Sequence, residues 1–246
     1  MAKIHPHPDT DRAPATGAAP ARAADTASAV QALAEQLAAT AVERDRQGGH
    51  AAAERERIRA SGLLRLSVPT QYGGAGASWS TVLAAVRTLA EADSALAHVF
   101  GFHHLQVAGV LLYGTPEQHA YFLTPTVERN LFWGNALNPL DRRVVARAEL
   151  DGYRIDGVKN FSSGSVGSDL LTFSAWHKPS GTALIAALPT RADGITVNPD
   201  WDAFGQRQTD SGTVRFDHVW LEPVQVLQRL ASRPRRAPRC ALRWRS

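Results

Sequence analysis

Arg143-Val144-Val145-Ala146-Arg147-Ala148-Glu149-Leu150-Asp151-Gly152-Tyr153-Arg154-Ile155-Asp156-Gly157-Val158-Lys159 runs directly into Asn160-Phe161-Ser162-Ser163-Gly164-Ser165. Asp151-Gly152 has the composition of a two-residue turn between antiparallel strands, because both residues tolerate positive φ. The segment 146–157 is therefore expected to form a hairpin. Its second strand delivers an aromatic ring, serine hydroxyls and glycines into one short loop. Hydroxyls and bare backbone N–H groups suit the polar edge of a flat heterocycle, and the ring suits its face. An ordinary hairpin with a Ser/Gly loop is the competing reading, and for this segment alone it is the commoner outcome.

Upstream, the chain reads as helices. Asp25 or Thr26 is expected to cap a helix with Val30, Leu33, Leu37 and Val42 inward, ended by Gly48-Gly49. A heavily charged helix follows over about 51–60. Leu63–Pro69 is expected to run extended into the glycine loop Tyr72-Gly73-Gly74-Ala75-Gly76. Ser80 and Ser94 are expected to cap two further helices, and Pro116 to start a fifth. Downstream, Leu170–Trp176, Thr182–Leu188 and Thr213–Trp220 read as short strands. The expected fold class is α+β: an N-terminal all-α helical domain, 25–129, then a small antiparallel β-barrel or sandwich domain, 130–227.

The chain of 246 residues carries a net charge of +4, but the charge is unevenly placed. Seven arginines and no acid lie between Arg229 and Ser246, leaving 20 basic against 23 acidic residues in the rest. The basic balance belongs to the segment 228–246, and a nucleic-acid partner is not expected. Met1–Ala24, rich in Ala and Pro, is expected to be disordered. No signal-type apolar segment follows Lys3, and no continuous apolar run is long enough to span a bilayer. The one cysteine allows neither an internal disulfide nor a Cys-based metal site. A cytoplasmic protein without a membrane partner is expected. There is no Gly-x-Gly-x-x-Gly after a strand, no phosphate loop and no Gly-x-Ser-x-Gly elbow. His5 and His7 sit in the N-terminal segment. His103-His104 lacks ligands at metal spacing, so no metal site is expected and both rings are read as structural.

Five motifs in order carry a family resemblance. Pro69-Thr70-Gln71-Tyr72-Gly73-Gly74-Ala75-Gly76 resembles the Pro-x-x-Tyr-Gly-Gly-x-Gly signature of the acyl-CoA dehydrogenase superfamily. Glu91–Ala97 and Gly114–Gln118 fit its next helix junctions, Lys159–Ser163 its flavin segment, and Phe204–Gly212 the closing signature of its β-domain. The resemblance covers about 26–227. Within the superfamily, His98–His103, Phe132–Asn135 and Gly205–Gly212 are similar to the flavin-dependent monooxygenases of organosulfur breakdown, including the dibenzothiophene and dialkylsulfone desulfurisation enzymes. The resemblance implies a two-component monooxygenase. Reduced FMN would come by diffusion from a separate flavin reductase. With O2 it would form a flavin C4a-(hydro)peroxide that attacks a small apolar substrate at sulfur or carbon.

It also implies roles for particular residues. His98 matches a catalytic histidine near the flavin C4a position, suited to proton transfer by its titration near neutrality. Phe102 lies one turn away on the same face, where a tyrosine is expected in relatives. Asn135 can read a flavin edge, and Ser163 matches the hydroxyl residue whose side chain or N–H contacts flavin N5 and O4. Phe161 replaces the tryptophan common in the dehydrogenases, and Trp201 matches an aromatic wall of the pocket. For His98, Asn135 and Trp201 the competing readings are a packed histidine, a loop asparagine and a core tryptophan. Arg207 is left between a phosphate partner and an acid across a subunit interface.

Members of the superfamily continue into a C-terminal four-helix bundle, which completes the flavin pocket and much of a dimer or tetramer interface. This chain is expected to be truncated before it, with weak flavin affinity and poor solubility as consequences. The Arg/Pro/Ala bias after Leu227 reads as a gene translated out of frame, or as a basic tail selected for binding. Two other functions stay open at this point: an FAD-dependent acyl-CoA dehydrogenase, and a non-catalytic fragment or basic-tailed binding module.

Overall fold

The computed structural model describes residues 23–230. Most of the expected disordered segment 1–24 and of the Arg-rich stretch 228–246, with His5, His7 and Cys240, lies outside the described residues. Five helices come first: α1 (Ala23–Gln47), α2 (Ala52–Ala60), α3 (Trp79–Ala92), α4 (Ser94–Tyr113) and α5 (Pro116–Glu128). Eight strands follow: β1 (Trp133–Ala136), β2 (Val145–Glu149), β3 (Gly152–Lys159), β4 (Leu170–His177), β5 (Thr182–Pro189), β6 (Ile195–Asn198), β7 (Thr213–Leu221) and β8 (Val226–Leu230). Helices then strands is the expected α+β order. β6 and β8 were not anticipated, and β8 runs past residue 227.

Local chemistry sets the helix ends, at positions shifted from those expected. Ser78, not Ser80, caps α3 by accepting from the Thr81 N–H, and Asp93, not Ser94, caps α4 by accepting from the Leu96 N–H at 2.9 Å. Asp25 and Thr26 lie inside α1. Along α1, Val30, Leu33 and Leu37 are buried, but Val42 is exposed. The helical stripe continues instead to Arg44, seven residues after Leu37, which is buried and ion-paired. Thr115 and Gln118 cap α5 reciprocally, and the Gln118 amide also donates to the Val224 and Val226 carbonyls at 2.9 and 2.8 Å. Leu63–Pro69 is not extended: it contains a 3-10 turn at Leu63–Arg65, and another follows at Thr70–Tyr72.

The strands form one sheet in the order β6-β7-β3-β2-β4-β5-β8, with β1 paired to β4. It is mostly antiparallel, but β1 pairs with β4 in parallel, and β2 meets β4 in parallel at Val145 and Trp176. The sheet curls over its own core. Phe173 on β4 and Phe216 on β7 have ring centroids 4.7 Å apart although β3 and β2 lie between them. In the hairpin, Glu149 pairs with Gly152, so Leu150 and Asp151 form the turn, with Leu150 at φ +50°. Gly152 is needed for a different reason: a Cβ there would sit 2.4 Å from the Leu221 carbonyl oxygen on β7.

α4 has the length and hydropathy of a membrane span, because its polar residues are scattered among apolar ones. It is the central helix of this fold, packed against α3, α5 and β1. His103 fastens it to the 3-10 turn at Leu63–Arg65 and to β1: Nε2 donates to the Leu64 carbonyl at 2.7 Å, and Nδ1 accepts from the Trp133 N–H at 3.2 Å. His104 is also fully buried and meets the Ser67 hydroxyl at 2.7 Å. Both rings have the structural role expected of them.

Two stability outcomes follow from these contacts. Gly152→Ala should lower the unfolding free energy by roughly 1–3 kcal/mol in urea, because β7 must move to admit the methyl group. Burial pushes His103 down to about 3, and pushes His104 well below its ordinary value. The unfolded chain therefore binds protons below about pH 6.5 that the folded chain refuses. The stability held above that pH is lost as pH falls toward the folded values. Urea unfolding should show a loss of roughly 2–4 kcal/mol between pH 7 and 5; a flat profile would rule out neutral buried rings.

Candidate functional site

His98 projects from α4 toward the loop after β3. Its Nε2 lies 3.1 Å from Ser163 Oγ, and its ring stacks on Phe102, one turn along, at 4.3 Å and 13°. Burial lowers the His98 pKa from its ordinary value. Two loops are laced together beneath this contact. The Ser162 N–H donates to the Gly212 carbonyl at 3.0 Å, and the Gly164 N–H to the Thr209 carbonyl at 2.7 Å. Their hydroxyls meet as well: Ser163 Oγ is 2.9 Å from Ser211 Oγ, which is 2.7 Å from Thr209 Oγ1.

Charged groups from the helices hold the second loop. Arg55 is 2% exposed; it donates to Asp210 Oδ2 at 3.2 Å and to the Gly164 carbonyl at 3.0 Å, and its guanidinium lies 4.3 Å from the Phe132 ring centroid. Desolvation lowers its pKa to about 10 against the pull of Asp210. His50 Nδ1 meets the same Asp210 oxygen at 2.6 Å. Arg44 bonds Asp93 at 2.7 Å and also the Gln208 side chain. The charged face of α2, with Glu54, Arg55 and Arg59 buried, is thus an interdomain surface and not a solvated one.

The structure brings the expected site residues into two adjoining groups. His98, Phe102 and Ser163 form one, and the Asn135 N–H joins it by donating to the Ser163 carbonyl at 2.9 Å. The Asn135 side-chain oxygen accepts from the Leu137 N–H at 3.2 Å, so part of its amide is engaged by its own strand. Phe161 and Trp201 form the other, with centroids 5.7 Å apart. Phe161 has φ +56°, costly for a bulky residue, and the residue is 71% exposed. The Trp201 indole N–H donates to the Gln206 carbonyl at 2.9 Å. Arg207, left open by the sequence, packs beside Gly48.

Thr209, Ser211, Arg55 and Asp210 belong to the site but were not singled out as site residues. Thr209-Asp210-Ser211 stands inside the closing signature, so its hydroxyls were the available signal. Arg55 gave none, because an arginine in a charged helix has the pattern of a solvated face. At the surface, Asp156, Asp217 and His218 cluster closely enough to hold a cation, but Asp156 is paired with Arg147 at 2.6 Å.

The donor set suits a flavin ring. A half-buried imidazole and a buried hydroxyl stand beside an aromatic pair, the exposed, strained Phe161 and the partly buried Trp201, giving polar contacts for a heterocycle's edge and cover for its face. Residues 23–130 match the model of the acyl-CoA dehydrogenase N-terminal domain. Over 213 residues the chain is 47% identical to the Pseudomonas putida protein named probable FMNH2-dependent monooxygenase SfnC, covering 86% of this chain and 53% of that one. The structure of methanesulfinate monooxygenase MsuC from Pseudomonas fluorescens matches with a TM-score of 0.80 at 48% identity, covering 81% of this chain and 52% of the other. FMN-bound TdsC from Paenibacillus sp. A11-2, a dibenzothiophene monooxygenase, matches with a TM-score of 0.79 at 40% identity over 82% and 53%. The chain spans about half the length of these relatives.

Arg55→Met tests the interdomain grip. It removes the cation and leaves Asp210 with His50 as its nearest charge partner. Chemical denaturation should show a loss of roughly 3–5 kcal/mol, with Arg55→Lys intermediate; a loss below about 1 kcal/mol would mean that the pair does not hold the loops.

Proposed function

We propose that this chain carries the helical and flavin-binding domains of a two-component, FMNH2-dependent monooxygenase acting on a small apolar organosulfur compound. The observation that carries the reading is the His98–Ser163 contact at 3.1 Å, which joins the α-domain to the loop of the β-domain beside the Phe161–Trp201 pair. The relatives include a protein named probable FMNH2-dependent monooxygenase, a methanesulfinate monooxygenase and a dibenzothiophene monooxygenase seen with FMN bound, which supports the same reading. On this reading 25–129 covers one side of the flavin and 130–227 holds it. The reduced cofactor comes from a separate reductase, the location is cytoplasmic, and the whole protein is a homo-oligomer.

Bound reduced FMN would supply the electrons that activate O2 for transfer of one oxygen atom to the substrate. The residues of this chain do the rest. Ser163 and Asn135 meet the polar edge of the ring system. Phe161 and Trp201 cover its face and exclude water. His98, neutral near pH 7 because burial lowers its pKa, holds a proton at one nitrogen and can accept one at the other. Phe102 supports the imidazole by stacking and adds no titrating group.

Anaerobic titration of the full chain with reduced FMN and with FAD tests this reading. The expected result is at least tenfold preference for reduced FMN. Preference for FAD, with bleaching by an acyl-CoA, would make the chain a dehydrogenase, and binding of neither flavin would leave the proposal without support.

A further inference from the structure

A series of hydroxyls runs from the backbone to His98, and only one arrangement of protons makes every contact a hydrogen bond. The Gln206 carbonyl can only accept, so Thr209 Oγ1, 3.0 Å away, donates to it. Thr209 has one hydroxyl proton. At the 2.7 Å contact, Ser211 must therefore donate to Thr209. By the same count Ser163 donates to Ser211 at 2.9 Å. Ser163 Oγ then has only lone pairs to offer His98, and Nε2, 3.1 Å away, has to carry the hydrogen. Ser163, Thr209 and Ser211 are buried, so solvent does not offer alternative partners freely. The anchor is held from three sides: the Gln206 carbonyl also accepts from the Trp201 indole at 2.9 Å, and its side-chain amide donates to Ser94 Oγ at 2.9 Å.

We infer that Gln206, Thr209 and Ser211 are positioning residues that hold His98 as the Nε2–H tautomer, with Nδ1 as its basic atom, and that present Ser163 Oγ to the site as an acceptor only. Nδ1 has no protein partner among the described residues. Burial of the ring disfavours the doubly protonated form near neutral pH, so one tautomer is the state being selected.

A consequence for the ligand follows, and it rests on the flavin reading proposed above. A group that meets Ser163 must bring a donor. Flavin N5 carries a hydrogen in the reduced ring and a lone pair in the oxidised ring. The hydroxyl chain therefore favours reduced over oxidised FMN, and the preference is set by residues that need not touch the flavin.

The test uses the full chain labelled with 15N-histidine, observed without ligand by long-range proton–nitrogen correlation near pH 7.5. His98→Gln assigns the resonance. Wild type should show His98 as Nε2–H. Ser211→Ala frees the Ser163 hydroxyl to donate, and Thr209→Val removes the anchor; each should bring in the Nδ1–H form. Thr209→Ser should restore the wild-type pattern. His103, held as Nε2–H by Leu64 and Trp133, is the internal control for an intact fold. An Nδ1–H ring in wild type would overturn the inference, as would an unchanged His98 in both variants. In a second arm, anaerobic titration with reduced and oxidised FMN should show a preference for the reduced form that falls about tenfold in Ser211→Ala, the equivalent of one hydrogen bond. A tautomer change without that fall would overturn the ligand consequence alone. Binding of neither form would defeat the flavin reading and leave the tautomer result standing.

Discussion

The buried guanidinium of Arg55 is the constraint on which the candidate site depends. It reaches out of α2 and grips one residue from each of two β-domain loops, Asp210 and the Gly164 carbonyl. A desolvated charge is tolerable only with partners in good geometry, so the position of this one group dictates where both loops lie. The Phe132 ring beneath it and His50 on the same carboxylate complete the arrangement. Arg44 repeats the device one helix away, tying α1 to the cap of α4 through Asp93 and to the closing loop through Gln208. The helical domain therefore organises the polar chemistry of the β-domain by direct ion pairs and not only by apolar packing.

What those ion pairs make possible is a dense cluster of hydroxyls at a domain junction. Ser163, Thr209 and Ser211 would be poor core residues separately, since a buried hydroxyl without a partner is costly. Together they satisfy one another, and His98 closes the series from the α-domain side. Such a network has a direction when one end is a carbonyl, and direction is what a proton-handling site requires. Phe161 sits at its mouth in a backbone conformation that bulky residues avoid, with its ring facing outward. That local strain is maintained by the lacing of the loops on either side of it.

The fold around the site is built from ordinary devices. Caps at Ser78, Asp93 and Thr115 start α3, α4 and α5, and His103 ties α4 to β1 through Nδ1 and to the 3-10 turn at Leu63–Arg65 through Nε2. The sheet curls until β4 and β7 share a core, and the antiparallel pairing of β3 with β7, Lys159 opposite Val214, sets the loop after β3 next to the loop before β7. Close approach is what requires glycine at Gly152, where the neighbouring strand leaves no space for a side chain.

Periodicity and turn chemistry in the sequence determined the α-then-β order, the positions of α1 to α5 within a few residues, and the hairpin with its serine loop. The five ordered motifs pointed to the family; helical spacing put His98 and Phe102 on one face, while the meeting of His98 with Ser163 was implied only by the resemblance. Other features depended on contacts between residues distant in the chain. The hairpin turn lies at Leu150-Asp151, because Gly152 is already paired with Glu149 and packed against Leu221 of β7. Arg44 and Arg55 turned inward because partners more than 100 residues away receive them. The parallel pairing of β1 with β4, the unanticipated strands β6 and β8, and the direction of the hydroxyl series belong to the same class. A sequence pattern reports which residues can be buried or hydrogen-bonded; only the tertiary structure decides which of them meet, because ion pairs and shared protons are properties of two chain segments at once.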